Sequence, residues 1–285
     1  MRVLIVGCGY VGSELLRILP TGWHADALTR SASRSTELRE LGANPIVMDW
    51  LEPITDLHEY DYMLVAVPHR EVNDFGSQTH VRGLKNLLNS AGDRFRKIVY
   101  LSTTGVFGTT DSEQVTEDTP VSPSRVGPTI AVQAENFLTE RLNTAKLTIL
   151  RLAGIYGPGR IPLAAKIRAG EPLAVPQSGF LNLVHVSDIA RMIIDVFFHR
   201  ELKLPYYLFS DGNPVRRLEF YEYLAHLCGI TEPEFVEPTE GDARARRATS
   251  KRIDPSRIIQ ETGFEYRYPN YRAGLEDAIG TAQNG

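Results

Sequence analysis

Three places in the chain carry residue types whose spacing can do chemistry. Gly7-Cys8-Gly9-Tyr10-Val11-Gly12 follows a short apolar run and opens an amphipathic segment. In that setting the first glycines permit a tight turn and close backbone approach, and the third lets a helix pack on a strand. The helix N-terminus then faces a pyrophosphate. Gly7, Gly9, Tyr10, Val11 and Gly12 are therefore expected to bind a dinucleotide. Ser102-Thr103-Thr104 offers hydroxyls that can hydrogen-bond a ligand oxygen, or that simply terminate a strand. His69 in "AVPHR" is a side chain that titrates near neutrality, or else a loop histidine.

The second apolar segment, "ADALTRS", ends in Thr29-Arg30-Ser31 where an acidic residue would hold free ribose hydroxyls. An arginine with two hydroxyls suits a 2′-phosphate, so NADP(H) is expected over NAD(H); the alternative is a solvated loop charge. Asp49, closing the third segment, is a candidate to hydrogen-bond the adenine or a plain surface aspartate. Ala66 and Val67, closing the fourth, complete the expected cofactor-binding set.

These residues need a scaffold, and the pattern supplies one. "RVLIV", "HADALT", "NPIVMD", "YMLVAVP", "KIVYLS" and "KLTILR" are short apolar runs that alternate with helical stretches such as "YVGSELLRILP" and "THVRGLKNLLNSA". Parallel strands need crossover helices, so the alternation predicts an α/β, Rossmann-type doubly wound parallel sheet. Beyond about residue 157 prolines and glycines break the rhythm. Residues 1–157 are expected to form the dinucleotide-binding domain, which also receives 182–199, and 158–285 a smaller substrate lobe.

Composition narrows the function. A formal net charge of −4 gives no global basic field for nucleic acid. The opening apolar run is too short for a signal peptide core or a membrane span. Two cysteines, Cys8 and Cys228, cannot build a disulfide framework or a multi-ligand zinc site, and read as reduced thiols of a cytoplasmic protein. No metal is expected.

With "YLSTTGVFG" at 100–108, "LRLAGIYGPGR" at 150–160 and "NLVHVSDIAR" at 182–191, the chain resembles the extended short-chain dehydrogenase/reductase family, which includes NAD-dependent epimerases and dehydratases of nucleotide sugars. The resemblance implies that Thr103, with Thr104 beside it, is the catalytic hydroxyl. It also implies that Tyr156 lies near the pocket, and that Asn182 and His185 border the substrate, with Asp188 capping the following helix. Arg244 and Arg247 of "ARARRATSKR" would hold a diphosphate in the second lobe. The family's Tyr-x-x-x-Lys, whose tyrosine moves the proton and whose lysine lowers the tyrosine pKa, is missing. Gly127 and Ala131 stand at those positions, and none of the 12 tyrosines has lysine four residues on. Pro128 suits a first helical position, and Ile130, Ala134, Phe137 and Leu138 still make an apolar face. The family's spaced glycine pattern is also tighter here.

The chain thus resembles an atypical subgroup that keeps the cofactor fold without the catalytic motif. Two functions follow. One is an NADP(H)-dependent oxidoreductase, epimerase or dehydratase-like enzyme of a nucleotide sugar or related small molecule, with a proton donor foreign to the family. The other is a non-catalytic NADP(H)-sensing regulatory protein. A homodimer through long helices is in keeping with the family.

Overall fold

The six apolar runs become β1 (Arg2–Val6), β2 (His24–Thr29), β3 (Ala43–Val47), β4 (Tyr62–Val65), β5 (Lys97–Thr103) and β6 (Leu147–Leu152), and a seventh strand, β7 (Tyr206–Phe209), joins them. In this computed structural model, which describes residues 1–55, 57–69, 78–108, 114–199, 202–237 and 250–283, they form one sheet in the order β7-β6-β5-β4-β1-β2-β3. Every neighbouring pair is parallel. The chain winds outward from β1 in both directions, so a crevice opens where β1 and β4 lie side by side, at their carboxyl ends.

Strand alternation builds two cores from one sheet. In β1, Val3 and Ile5 face the helices α1 (Tyr10–Ile18), α2 (Ser35–Glu40) and α6 (Val186–Phe198), whereas Leu4 and Val6 face α3 (Thr79–Ala91) and α4 (Val126–Thr139). All four side chains are fully buried, each removing apolar surface worth roughly 1.5–3 kcal/mol. In β5, Val99 and Leu101 join the first core while Ile98 and Tyr100 point toward α3 and α4. Pro45 is tolerated in β3 because that strand is an edge.

Helix α4 starts at Val126, which makes Pro128 its third residue rather than the expected first. The imino nitrogen still lies in the first turn, where an N–H would lack an intrahelical partner. Ile130, Ala134, Phe137 and Leu138 are buried.

The second lobe has its own core, in which Tyr156, Phe220, Leu224 and Leu275 meet between α5 (Ala164–Arg168), α7 (Arg217–Leu227) and α9 (Tyr271–Gln283). One expected boundary needs correction. Residues 206–209, assigned to the smaller lobe, pair with β6 and extend the main sheet, and α8 (Ser256–Thr262) packs against them. The prolines and leucines of "LKLPYY" hid a strand in which Tyr207 and Phe209 alternate into the first core. Among the described residues no helix is long and apolar enough to cross a membrane.

Candidate functional site

A cleft of about 980 Å³ opens at the crevice. Its floor is the glycine turn. Gly7 has φ 83°, and a Cβ there would lie 2.8 Å from Val67 Cγ2 and 2.9 Å from the Val67 backbone nitrogen. Only glycine can bring β1 that close to β4. Above Gly9 nothing approaches nearer than 4.0 Å, so a ligand can rest on bare backbone. A Cβ on Gly12 would meet Cys8 Sγ at 3.0 Å and Ile5 Cγ2 at 3.1 Å, which is the tight helix-on-strand packing the motif needs. Helix α1 begins at Tyr10 with no side-chain cap and no acidic residue in its first turn. Its first N–H groups and positive dipole end are left for an anion, so a dinucleotide pyrophosphate fits this cradle. Burial pushes the Cys8 thiol up to about 11, so it remains protonated.

Thr29, Arg30, Ser31, Ala66 and Val67 all line the cleft, as do Tyr10 and Val11. The Thr29 hydroxyl accepts from Ser31 N at 3.2 Å. Arg30 is largely exposed, its guanidinium 3.8 Å from the Asp49 carboxylate. Asp49 itself accepts from Leu51 N at 3.0 Å, and it is Trp50 and Leu51 that reach the cleft wall. Its Oδ1 is tied into its own turn, and Asp49 itself is not among the residues that line the cleft. Arg34 was not read from the sequence. It lines the cleft, donates to the Cys8 carbonyl and to Ser13 Oγ, and is held by Glu37 at 2.7 Å. A second guanidinium four residues after Arg30 was the available signal.

At the other end Ser102 and Thr103 line the cleft. Thr103 Oγ1 accepts from Gly105 N at 3.0 Å, and Arg125 stands beside it, since a Cβ on Gly105 would lie 3.2 Å from Thr103 Oγ1 and 3.3 Å from Arg125 Nη2. Thr104, expected to assist, is buried outside the cleft lining, and its carbonyl accepts from Lys251 Nζ. Ser102 Oγ donates to Glu135, which also takes a bidentate contact from buried Arg151.

The two positions of the missing motif are closed. A Cβ on Gly127 would lie 2.9 Å from the His69 carbonyl oxygen and 3.8 Å from its Cβ. Ala131 is fully buried against Val106, Phe107 and Leu208. His69 therefore occupies the ground where a tyrosine at 127 would begin, and it lines the cleft. Its Nε2 lies 2.9 Å from the Tyr100 hydroxyl, and burial, aided by the neighbouring His80, pushes its pKa down to about 3. The ring is neutral at pH 7.

Other expected site residues serve the architecture. Tyr156 is fully buried, donates to the Asn270 carbonyl at 3.4 Å, and packs on Gly274, so it does not reach the cleft. Asn182 spends its amide on Lys251 O and Ile253 N. Buried His185, not Asp188, caps α6 by accepting from Ser187 N; Asp188 instead accepts from Arg267 N and Tyr268 N and ties the C-terminal segment down. Neither Asn182 nor His185 lines the cleft. Arg244 and Arg247 lie outside the described residues. The second lobe contributes Arg160 to the cleft instead, its guanidinium 5.5 Å from the centre of the Tyr10 ring. Tyr10 donates to Pro158 O at 3.0 Å and so joins the lobes. Among the described residues no cluster of His, Cys, Asp and Glu could hold a metal ion.

The sheet order, the bare glycine cradle and the crevice between two lobes define a Rossmann-type protein of the extended short-chain dehydrogenase/reductase class, without its tyrosine and lysine. The chain belongs to the family described as RmlD substrate binding domain, whose model matches residues 1–284. Protein YeeZ of Escherichia coli K12 is 28% identical over 278 residues, covering 94% of this chain and 97% of that protein. A functionally unknown conserved protein from Silicibacter pomeroyi superposes with TM-score 0.84 at 30% identity, covering 98% of each chain. UDP-glucuronic acid 4-epimerase from Bacillus cereus, solved with UDP-glucuronic acid and NAD, has the same fold, with TM-score 0.82 at 17% identity over 100% of this chain and 99% of that one.

Proposed function

We propose that the chain is an NADP(H)-dependent enzyme of the epimerase, dehydratase or reductase kind, acting on a nucleotide-linked sugar or a related small molecule. The observation that carries the reading is the placement of His69. It lines the same cleft as Thr103 and sits against Gly127, where the family's tyrosine would start. Gly7, Gly9, Tyr10 and Val11 would hold the pyrophosphate, Thr29, Arg30, Ser31 and Arg34 the ribose 2′-phosphate, and Ala66 and Val67 the wall of the cleft beyond. A nicotinamide dinucleotide held there would supply or take up the hydride. Thr103 orients the reacting oxygen, His69 exchanges its proton, and Arg160, which lines the cleft, faces the anionic part of the substrate. That one chain of this fold holds NAD together with a UDP-sugar supports the pairing of ligands.

Thermal stabilisation tests the reading, because a ligand that binds only the native state raises the melting point. NADPH and NADP⁺ should stabilise more than NADH and NAD⁺; equal shifts would remove the role given to Arg30. With NADP⁺ present, UDP-glucose or dTDP-glucose should add stabilisation and change the cofactor's absorbance. Cofactor binding with no response to any nucleotide sugar would turn the reading into that of a sensor.

A further inference from the structure

Tyr100 belongs to no expected site, yet it is fully buried in a run of otherwise apolar side chains and its hydroxyl is contacted twice. His69 Nε2 lies 2.9 Å from it and His80 Nδ1 2.8 Å. The other nitrogen of His80 lies 3.1 Å from the Pro68 carbonyl oxygen. The two imidazoles stack with centroids 4.6 Å apart, and the Trp50 ring meets His80 edge-on at 5.0 Å. Both histidines line the cleft.

The donors and acceptors can be assigned from chemistry alone. A carbonyl oxygen only accepts, so His80 carries its proton on Nε2. Burial keeps the ring neutral, which leaves Nδ1 as an acceptor, and the Tyr100 hydroxyl must donate to it. That hydroxyl has one proton, now spent. Its oxygen accepts from His69, which therefore carries its proton on Nε2 and keeps a lone pair on Nδ1. Three groups thus run in one direction, partly buried His69 to buried Tyr100 to buried His80 to the Pro68 carbonyl, with no choice left at any link.

Resting on the reading of the cleft given above, we propose that Tyr100 and His80 are positioning residues which fix His69 with its Nδ1 as the proton acceptor and take the charge one step on from His69. When a substrate alcohol is oxidised, its O–H bond breaks and an Nδ1–H bond forms. The C–H electron pair leaves as hydride to the nicotinamide dinucleotide, and the carbonyl forms. His69 then passes its Nε2 proton to Tyr100 as Tyr100 passes its own to His80 Nδ1. The positive charge ends on His80, whose Nε2–H already points at a carbonyl dipole. Reduction runs the same chain backward. The stack and the Trp50 edge hold both rings in plane for this shift. Moving the charge to the ring with a carbonyl partner offsets part of the burial that makes an isolated histidine a poor base.

Long-range ¹⁵N–¹H correlation spectra of the NADP⁺-loaded protein at pH 7 read the tautomers. Both rings should carry Nε2–H. In Tyr100→Phe the nitrogens that faced the hydroxyl, His69 Nε2 and His80 Nδ1, should shift together while NADPH stabilisation stays as in wild type. Nδ1–H on His69, or identical histidine spectra with and without the hydroxyl, overturns the proposal; the wild-type spectrum decides the tautomer even if the variant folds poorly. With NADP⁺ and UDP-glucose or dTDP-glucose, His69→Gln should lower kcat by about 10²- to 10⁴-fold and Tyr100→Phe by about tenfold or more, with KM within about twofold. A Tyr100→Phe enzyme with unchanged kcat, or with the loss confined to KM, also overturns it. If neither sugar is turned over, it is the proposed function that fails, and the tautomers still judge the chain.

Discussion

The two ends of one cleft have different histories written in their packing. At the glycine turn the surface offered to the cleft is backbone, and a side chain on Gly7 would strike Val67 just beyond β4. At the N-terminus of α4 the contacts are side chains, and there the family's tyrosine and lysine are gone. His69 has come up against Gly127, and Ala131 is sealed in core. Backbone recognition permits few solutions, because a turn must have one shape to accept a pyrophosphate. Proton transfer needs only a group of suitable reach and basicity, so a different residue from a different loop can take it over.

The sharpest way to break that contrast is to put the old motif back. Gly127→Tyr with Ala131→Lys should fail to restore a tyrosine-based site. The first forces the His69 backbone away and the second buries an unpaired ammonium among Val106, Phe107 and Leu208, a cost of about 3–5 kcal/mol. Urea unfolding reads the loss. A double variant as stable as wild type, with a tyrosine whose pKa is lowered, would show that the α4 end had not been rebuilt.

The next largest effect separates the ends by pH. Burial, together with the proximity of His80, lowers His69 to about 3, and burial, partly offset by the Pro68 carbonyl, lowers His80 to about 4. The unfolded chain takes up protons on both below about pH 6.5, whereas the folded chain does so only near 3 to 4. Their contribution is therefore complete above 6.5 and lost as pH falls, on the order of 3 kcal/mol between pH 7 and pH 5. The glycine turn has no such signature, since burial raises Cys8 to about 11 and Tyr10 to about 12. Asp211, in the second lobe, opposes the histidines. Burial raises it to about 7, Asp188 adding to the rise and the Asn213 backbone N–H opposing it. Its contribution is full below the ordinary aspartate value and is lost as pH rises through 7. Unfolding measured from about pH 4 to pH 9 should show the loss on rising from about pH 4 to 7 disappear in Asp211→Asn, and the loss on falling below about pH 6.5 shrink in His69→Gln/His80→Gln. An acid slope unchanged in the double variant would assign it elsewhere.

At the glycine end, Gly7→Ala places a Cβ 2.8 Å from Val67 in a left-handed backbone. It should cost about 1–3 kcal/mol and abolish stabilisation by NADPH. The same substitution at Gly9, where the space is open, should be tolerated in folding and still weaken NADPH, because the added methyl stands where a ligand lies.

These unequal effects explain what could be read without coordinates. The sheet, the turn and the cleft residues through Ser31 were legible because each depends on local pattern: apolar alternation, glycine spacing, a residue type at a strand end. The third helical residue of α4, Pro128, shows how finely such boundaries can slip. Tyr100 and His80 were not legible. They are separated by 20 residues on β5 and α3 and meet only because alternation turns Tyr100 toward the helix that carries His80. For Asn182 and His185 the geometry adds what a motif does not carry: it spends the Asn182 amide on Lys251 and Ile253 and gives His185 Nδ1 to Ser187 N.

The smallest effect concerns which dinucleotide the turn would admit, and it depends on two arginines that do different work. Arg34 is bound to the Cys8 carbonyl, to Ser13 and to Glu37, so most of its fork is occupied and its charge is matched by a neighbour. Arg30 is largely exposed, and its partner Asp49 is distant at 3.8 Å and tied by a hydrogen bond from Leu51. A 2′-phosphate would find Arg30 available at little cost and would have to share Arg34. Arg30→Ala should therefore weaken NADPH by about tenfold and leave NADH unchanged, a difference of about 1.4 kcal/mol. Arg34→Ala should weaken both cofactors alike, because it loosens the turn on which either pyrophosphate rests. Calorimetric titration of the two variants with both cofactors checks the split. If Arg34→Ala alone erases the preference, the 2′-phosphate is read by the turn's own clamp, and specificity and cradle are one device.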